Sequence, residues 1–245
     1  MRELAPVTLF NPEDGRFYRG NSALQTAEIE NFDLRYELYF GEDDYFSLSA
    51  FRKRISKPIE VFASEGLIAE TLVFRWENSE LAVNEGFEFE IRKYLSPYIY
   101  LSSNATFMDS DVTDTEITTT ILELSNVSDR GLTGASDEIY NAQLVYDGDA
   151  LQASIAYNKY SKRIDSLVQG SASNTIALVV EEPFASVDAN LKYKLFLRSS
   201  EMVIGLKATN LLDESIKRNV ENLDNLPFEE YDIGQTYSFS LEWKQ

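Results

Sequence analysis

The 245 residues contain no cysteine and no histidine. Without Cys, neither a disulfide framework nor a thiolate metal site can form. Without His, Ser-His-Asp triads, His-ligated zinc and imidazole acid–base steps are excluded. Basic residues are scarce: 22 Lys plus Arg stand against 41 Asp plus Glu, for a formal net charge of -19. That balance argues against nucleic acid, whose phosphates are bound by clustered Lys and Arg. No run of about 18 apolar residues occurs, so no transmembrane helix is expected. The opening Met-Arg-Glu-Leu-Ala-Pro has no apolar h-region, so no secretory signal is expected there.

What is plentiful is aromatic side chain, 14 Tyr and 15 Phe, which suits strands. The clearest pattern is Asn31 to Phe40. Phe32, Leu34, Tyr36, Leu38 and Phe40 share one parity; Asp33, Arg35, Glu37 and Tyr39 share the other. A strand sends alternate side chains to opposite faces, so this stretch has one apolar and one charged face. The same alternation predicts strands over 29–40, 45–55, 83–95, 98–108, 138–146, 151–162, 185–197, 202–211 and 233–243. Residues 1–28 read as loop, with a possible strand end at Leu4 to Phe10 and a turn at Asn11-Pro12-Glu13-Asp14-Gly15. Leu72 to Trp76 reads as a possible extension of a hairpin within the connection that follows 45–55.

The connections alternate between tight and long. Gly41 to Asp44, Ser96-Pro97, Asp147-Gly148-Asp149 and Ser199-Ser200 are tight; the intervening connections are long. A sandwich has no reason to keep its long loops at one end. A transmembrane barrel does, with short periplasmic turns and long extracellular loops. The second parity is strongly polar, with Glu88, Glu90 and Arg92 on one strand and Asp188, Asn190, Lys192 and Lys194 on another, as a lumen tolerates. Strands of about ten residues also match a tilted span. A meander or sandwich with one wet face alternates too, and stays open at this point.

Chemistry-bearing clusters are few. Asp109, Asp111, Asp114 and Glu116 make an Asp-x-Asp metal candidate. A calcium loop would need Gly at its sixth position and a final Glu, which this stretch lacks. Glu88 and Glu90 face a lumen beside Arg92, with no apolar enclosure to raise a pKa, so no catalytic residue is expected. Basic residues gather at three strand ends: Arg52, Lys53, Arg54 and Lys57; Lys159, Lys162 and Arg163; Lys217 and Arg218. Tyr45, Tyr94, Tyr98, Tyr237 and Trp243 suit interface girdles.

Several stretches, in order, resemble the barrel of a TonB-dependent outer-membrane receptor. They are Gly20-Asn21 with Asn31 to Leu34; Phe51 to Ile55 with Pro58-Ile59; Asn84 to Glu90; Asn141 to Tyr146 with Tyr157-Asn158 and Arg163-Ile164; Pro183 with Val187-Asp188; Thr209 to Asp213; and Gly234, Tyr237, Phe239 and Leu241. The resemblance implies an all-β, antiparallel, up-and-down transmembrane barrel. About nine or ten strands are visible, the C-terminal part of a barrel of about 22 strands. Residues 29–245 would be that barrel part. The family's signal peptide, TonB-contacting box and plug have no counterpart, and the chain ends on Gln245 where the family ends on an aromatic. By resemblance the protein lies in the outer membrane of a Gram-negative bacterium. It takes part in uptake of a scarce nutrient such as a metal–siderophore, a cobalamin or a glycan, and is not an enzyme. Its partners are membrane lipid and the barrel-assembly machinery, which reads Gly234, Tyr237, Phe239, Leu241 and Trp243. The TonB complex would reach it only through a plug. Arg52, Arg54, Lys162 and Arg163 are candidates for lipopolysaccharide phosphates at the rim. No cofactor is implied. A stand-alone small barrel and an extracellular β-rich binding protein are the alternatives.

Overall fold

The computed structural model describes residues 2–12, 15–41, 43–65, 72–114, 130–169, 176–197, 200–221 and 225–244. Glu116, Ser199 and Gln245 lie outside these. A 3-10 turn at Arg2–Leu4 precedes β1 (Thr8–Asn11), β2 (Arg16–Arg19), β3 (Glu28–Tyr39), β4 (Tyr45–Ser56), β5 (Ile59–Glu65) and β6 (Leu72–Asn78). Then come β7 (Leu81–Ser96), β8 (Ile99–Thr113), β9 (Glu138–Asp147), β10 (Leu151–Tyr160), β11 (Arg163–Gln169) and β12 (Ile176–Glu181). The last are β13 (Phe184–Leu197), β14 (Ser200–Thr209), β15 (Ser215–Val220), β16 (Leu226–Asp232) and β17 (Thr236–Lys244).

Nine strands form one antiparallel sheet in the order β17-β14-β13-β10-β9-β8-β7-β4-β3. Each of the nine predicted strands meets one of these. The largest departure is β8, which runs on to Thr113 instead of stopping at 108. The register keeps parity across the sheet. Tyr36, Leu48, Phe89, Ala105 and Tyr140 form one outward row. Ile99, Tyr146, Ala153, Leu191, Leu206 and Phe239 form another. The opposite face carries a polar row of Glu37, Ser47, Glu90, Asn104, Asn141, Asn158 and Ser186. Gly86 marks a close approach in this sheet: a Cβ there would sit 2.2 Å from the Phe107 carbonyl oxygen, as expected of a glycine inside a strand.

Among the described residues nothing packs on the apolar face. Leu34 is 66% exposed, Phe87 56% and Ile155 49%. A sandwich would bury these residues against a second sheet, and a patch this large exceeds what a water-exposed surface carries. Among the described residues the sheet is not closed. Its edges are β3 and β17, whose residues are exposed along their full length.

Three of the long connections are not irregular loops. With the hairpin before β3 they build a second, eight-stranded sheet in the order β1-β2-β6-β5-β11-β12-β15-β16, to which the described part of the connection between β8 and β9 adds no strand. Hairpins β1–β2, β5–β6, β11–β12 and β15–β16 are antiparallel, and β2–β6 and β5–β11 join them in parallel. The expectation of loop over 1–28, 163–183 and 212–232 is thereby corrected. Within 1–28 a hairpin forms, and its β1 lies in this second sheet, so it is no tenth strand of the first. The Leu72 to Trp76 hairpin is present as β5–β6. Phe62, Leu167, Ile176 and Leu178 form a buried core with Ile164 against it, each large apolar side chain contributing about 1.5–3 kcal/mol. Val179 and Val180 are both fully buried, so β12 is covered on both faces and its sequence shows no alternation.

Candidate functional site: lumen, rim and connecting sheet

On the polar face the predicted inward charges find one another. Arg35 Nε donates to Glu37 at 2.6 Å and Arg35 Nη2 to Glu90 at 3.1 Å. The Tyr45 hydroxyl donates to the same Glu90 carboxylate. Arg92 lies 6.0 Å from the Tyr45 ring centre and 5.6 Å from that of Tyr100. These are solvent-exposed pairs along a polar wall, with no apolar enclosure around Glu88 or Glu90.

At the rim the four basic candidates fall into two places. Arg52 and Arg54 stand on β4, and Arg52 pairs with Glu85 of β7 at 3.2 Å. Lys162 and Arg163 lie where β10 passes into β11, with β7, β8 and β9 intervening in the sheet. Lys162 pairs with Glu221. Arg163 pairs with Glu181 at 2.6 Å and covers the Tyr160 ring. Arg54 keeps the outward parity and is exposed.

The acidic candidates do not converge. Asp109 and Asp111 share one face of β8, opposite Glu85 and Val83. Asp137 is pushed up by burial and then by the charges of Asp109 and Glu138. Asp114 turns elsewhere, into a buried cluster around Arg130. Among the described residues no group of three acidic side chains is placed to hold a metal.

That buried cluster carries no pattern in the sequence. Arg130 donates to Asp114 at 2.6 and 2.7 Å and to Glu60 at 2.7 and 2.9 Å. Ser79 lies 2.6 Å from Glu60, and the Thr133 amide donates to Glu60 at 3.0 Å. Burial alone would push the Glu60 carboxyl up. The hydrogen bond and charge of Arg130, with help from Ser79 and Thr133, outweigh it and hold Glu60 below the ordinary range. Burial likewise opposes the Arg130 charge, and Glu60 and Asp114 raise its pKa regardless. The cluster ties β5, the β6–β7 turn, the end of β8 and the return segment at 130–133 into one knot.

A second cluster spans the eight-stranded sheet. Arg218 pairs with Glu181 at 2.6 Å, Glu229 at 2.7 Å and Asp165 at 3.1 Å. Arg16 pairs with Asp165 at 3.1 Å and Glu229 at 3.0 Å and stacks on Phe74. The sequence marked Arg218 only as part of a basic strand end and did not mark Arg16 at all. The partners of Arg16 lie 149 and 213 positions away, a separation local patterning cannot reach, and Glu181 lies 37 positions from Arg218.

At the C-terminal edge, Gly234 has φ +71 and so turns the chain where a side chain would be strained. Tyr237, Phe239, Leu241 and Trp243 then line the outward face of β17. Nothing among the described residues pairs with the free side of that strand.

Residues 3–223 match the family described as TonB dependent receptor-like, beta-barrel. No curated protein matches the chain. The ferric enterobactin receptor PfeA of Pseudomonas aeruginosa, in complex with enterobactin, is similar at 21% identity and a TM-score of 0.56, over 99% of this chain and 36% of that one. The siderophore receptor PirA of Acinetobacter baumannii is similar at 18% identity and a TM-score of 0.58, over 94% and 33%. FpvAI, solved in a complex with pyocin S2, is similar at 15% identity and a TM-score of 0.58, over 90% and 27%. The chain thus spans about a third of the length of these structures.

Proposed function

The chain belongs to the TonB dependent receptor-like β-barrel family, and from that premise we propose that it forms the C-terminal wall of an outer-membrane receptor that takes up a metal–siderophore. The observation that carries this is the two-faced nine-stranded sheet: an uncovered apolar face and a continuous polar face, with every long connection at one end. An uncovered apolar face of this height is stable only in lipid. The choice of a siderophore over a cobalamin or a glycan leans on the similar receptors, which take ferric enterobactin or are siderophore receptors by description. Two open edges in lipid are not tolerated, so β3 and β17 are paired by further strands in the working receptor, completing a barrel of about 22. Energy coupling to TonB belongs to a plug in that whole receptor.

The same reading gives the rim and the edge their roles. Arg54, with Arg52, Lys162 and Arg163, faces lipopolysaccharide phosphates from the outer leaflet. The β17 residues Tyr237, Phe239, Leu241 and Trp243, after the Gly234 turn, are the stretch engaged by the barrel-assembly machinery.

The test is iron uptake. Outer membranes from cells producing the protein are expected to bind radiolabelled ferric siderophores, and a strain lacking it is expected to lose uptake of one of them. Unchanged uptake of every siderophore tried, with loss of cobalamin or glycan uptake instead, would move the substrate class. Recovery of the protein without detergent would overturn the outer-membrane assignment.

A further inference from the structure

We propose that the outward rim over β4, β7 and β8 is a docking groove for a lipopolysaccharide whose lipid A phosphate carries an amine, the phosphate lying on Arg54 and the ammonium on Asp109 and Asp111. This rests on the reading above that the apolar face meets lipid. The groove, of about 570 Å³, crosses the level at which that face changes from apolar to charged. Ala50, opposite Phe87, which is opposite Phe107, gives its lower part. Arg52, opposite Glu85, which is opposite Asp109, gives its upper margin. The next row is Arg54, Val83 and Asp111. All keep the outward parity of Leu48, Phe89 and Ala105. Phe87 and Phe107 are exposed, so acyl chains lie on them while the headgroup meets the charged rows.

Each charged row has a cation on β4 and an acid on β8, with one strand between. Two strand spacings put their backbones roughly 9–10 Å apart. A phosphate and an ammonium joined to it through two carbons cover that span once the Arg and Asp side chains reach in. Arg52 is already paired, with Glu85 at 3.2 Å. Among the described residues Arg54 makes no ion pair, although Glu30 stands opposite it on β3. Its planar fork suits a phosphate. Asp109, Asp111 and Glu138 make no ion pair among the described residues either. The connection that leaves β8 beside them, 115–129, contains no Lys or Arg. Burial, then the charges of Asp109 and Glu138, push the Asp137 carboxyl up. These acids therefore repel one another, and would repel a plain phosphate. Among the described residues no three acids are placed to hold a metal, so the cation that answers them is one the lipid itself carries. The other basic end of the rim lacks this arrangement, because Lys162 and Arg163 are taken by Glu221 and Glu181.

The experiment extracts the whole receptor in a mild detergent from a host whose lipid A is a mixture of plain and ethanolamine-bearing phosphate forms. The lipid A that stays bound is compared with that of the bulk membrane by mass spectrometry. The ethanolamine form is expected to be enriched about fivefold, the scale of one further exposed ion pair. Asp109→Asn with Asp111→Asn should remove the enrichment and leave lipid bound. Arg54→Gln should lower retention of both forms, and Lys217→Gln, elsewhere on the extracellular side, should change neither. A chelator of divalent cations should leave the ethanolamine form in place. Equal retention of the two forms, or an enrichment that survives the double Asn variant, would overturn the proposal. Loss of the lipid to the chelator would overturn it too, since a bridging metal would then be the link. In each of these cases the outer-membrane reading stands. A receptor recovered without detergent and holding no lipid A would take down both.

Discussion

Arg16 donates to Glu229 across 3.0 Å, although one stands on β2 and the other on β16, the second and the last strands of the eight-stranded sheet. The two can meet only if that sheet curls until its distant strands face each other. Asp165 of β11, in the middle, takes the other Arg16 nitrogen. Three connections of the nine-stranded wall and the hairpin before it are thereby gathered into one curved body held by charge. Charge-assisted bonds of this kind are worth about 1.5–3 kcal/mol each. Arg16→Ala is expected to release β1 and β2 first, seen as faster amide hydrogen exchange over 8–19 with the wall strands unchanged. Unchanged exchange there would contradict the role given to Arg16.

Arg130 is the more buried cation, and its loss should cost more. Removing one partner of a buried pair leaves uncompensated charge and costs about 3–5 kcal/mol. Here Arg130→Met would strand both Glu60 and Asp114. Urea unfolding from lipid vesicles is expected to show a loss of that order, and Arg130→Lys a smaller but clear one, since an ammonium cannot reproduce the forked contacts. A change in Arg130→Met below about 1 kcal/mol, the scale of a surface pair, would contradict the knot.

Acid should loosen the same knot, with a definite sign. Glu60 is held below its ordinary pKa in the folded chain. The unfolded chain therefore takes up its proton more readily. The stabilisation is fully present above the ordinary glutamate range, and it drains away as pH falls through that range toward the lower folded value. Glu181, held down by Tyr160 and Arg163 against its burial, acts in the same direction. Glu60→Gln is expected to flatten the acid limb of the stability curve. An unchanged acid limb in Glu60→Gln would remove Glu60 from the explanation.

The nine-stranded wall was legible because its strands are one-sided. Leu34, Leu48, Phe89 and Leu191 alternate with polar residues, and the alternation survives in the observed register. The second sheet was not legible for the opposite reason. Val179 and Val180 are both buried, so β12 reads as a plain apolar run, and β15 and β16 are short and charged. Its contacts also join segments far apart, as with Arg16 and Glu229. At the rim the basic residues were visible in the sequence, but their acidic partners were not: Glu85, Glu181 and Glu221 come from other strands or connections. Asp114 looked like a metal candidate because the sequence shows its acidic neighbours and hides Arg130.

A polar change on each side of one strand should separate lipid from lumen. Leu191→Arg places a charge on the outward face of β13 and is expected to cost about 2–4 kcal/mol near the bilayer midplane. Asn190→Arg, one residue away on the inward face, is expected to change stability by no more than about 0.5 kcal/mol. Unfolding of the two variants from vesicles compares them directly, and equal losses would contradict the assignment of faces.

The most direct measurement is a nitroxide scan along β13, one spin label at a time from 187 to 193, in outer-membrane vesicles. Collision rates with oxygen, which concentrates in lipid, and with a water-soluble nickel chelate are read at each position. If the sheet is the wall of a transmembrane barrel, oxygen access peaks at 187, 189, 191 and 193 and nickel access peaks at 188, 190 and 192. Nickel access at every position, with no period of two, would contradict it.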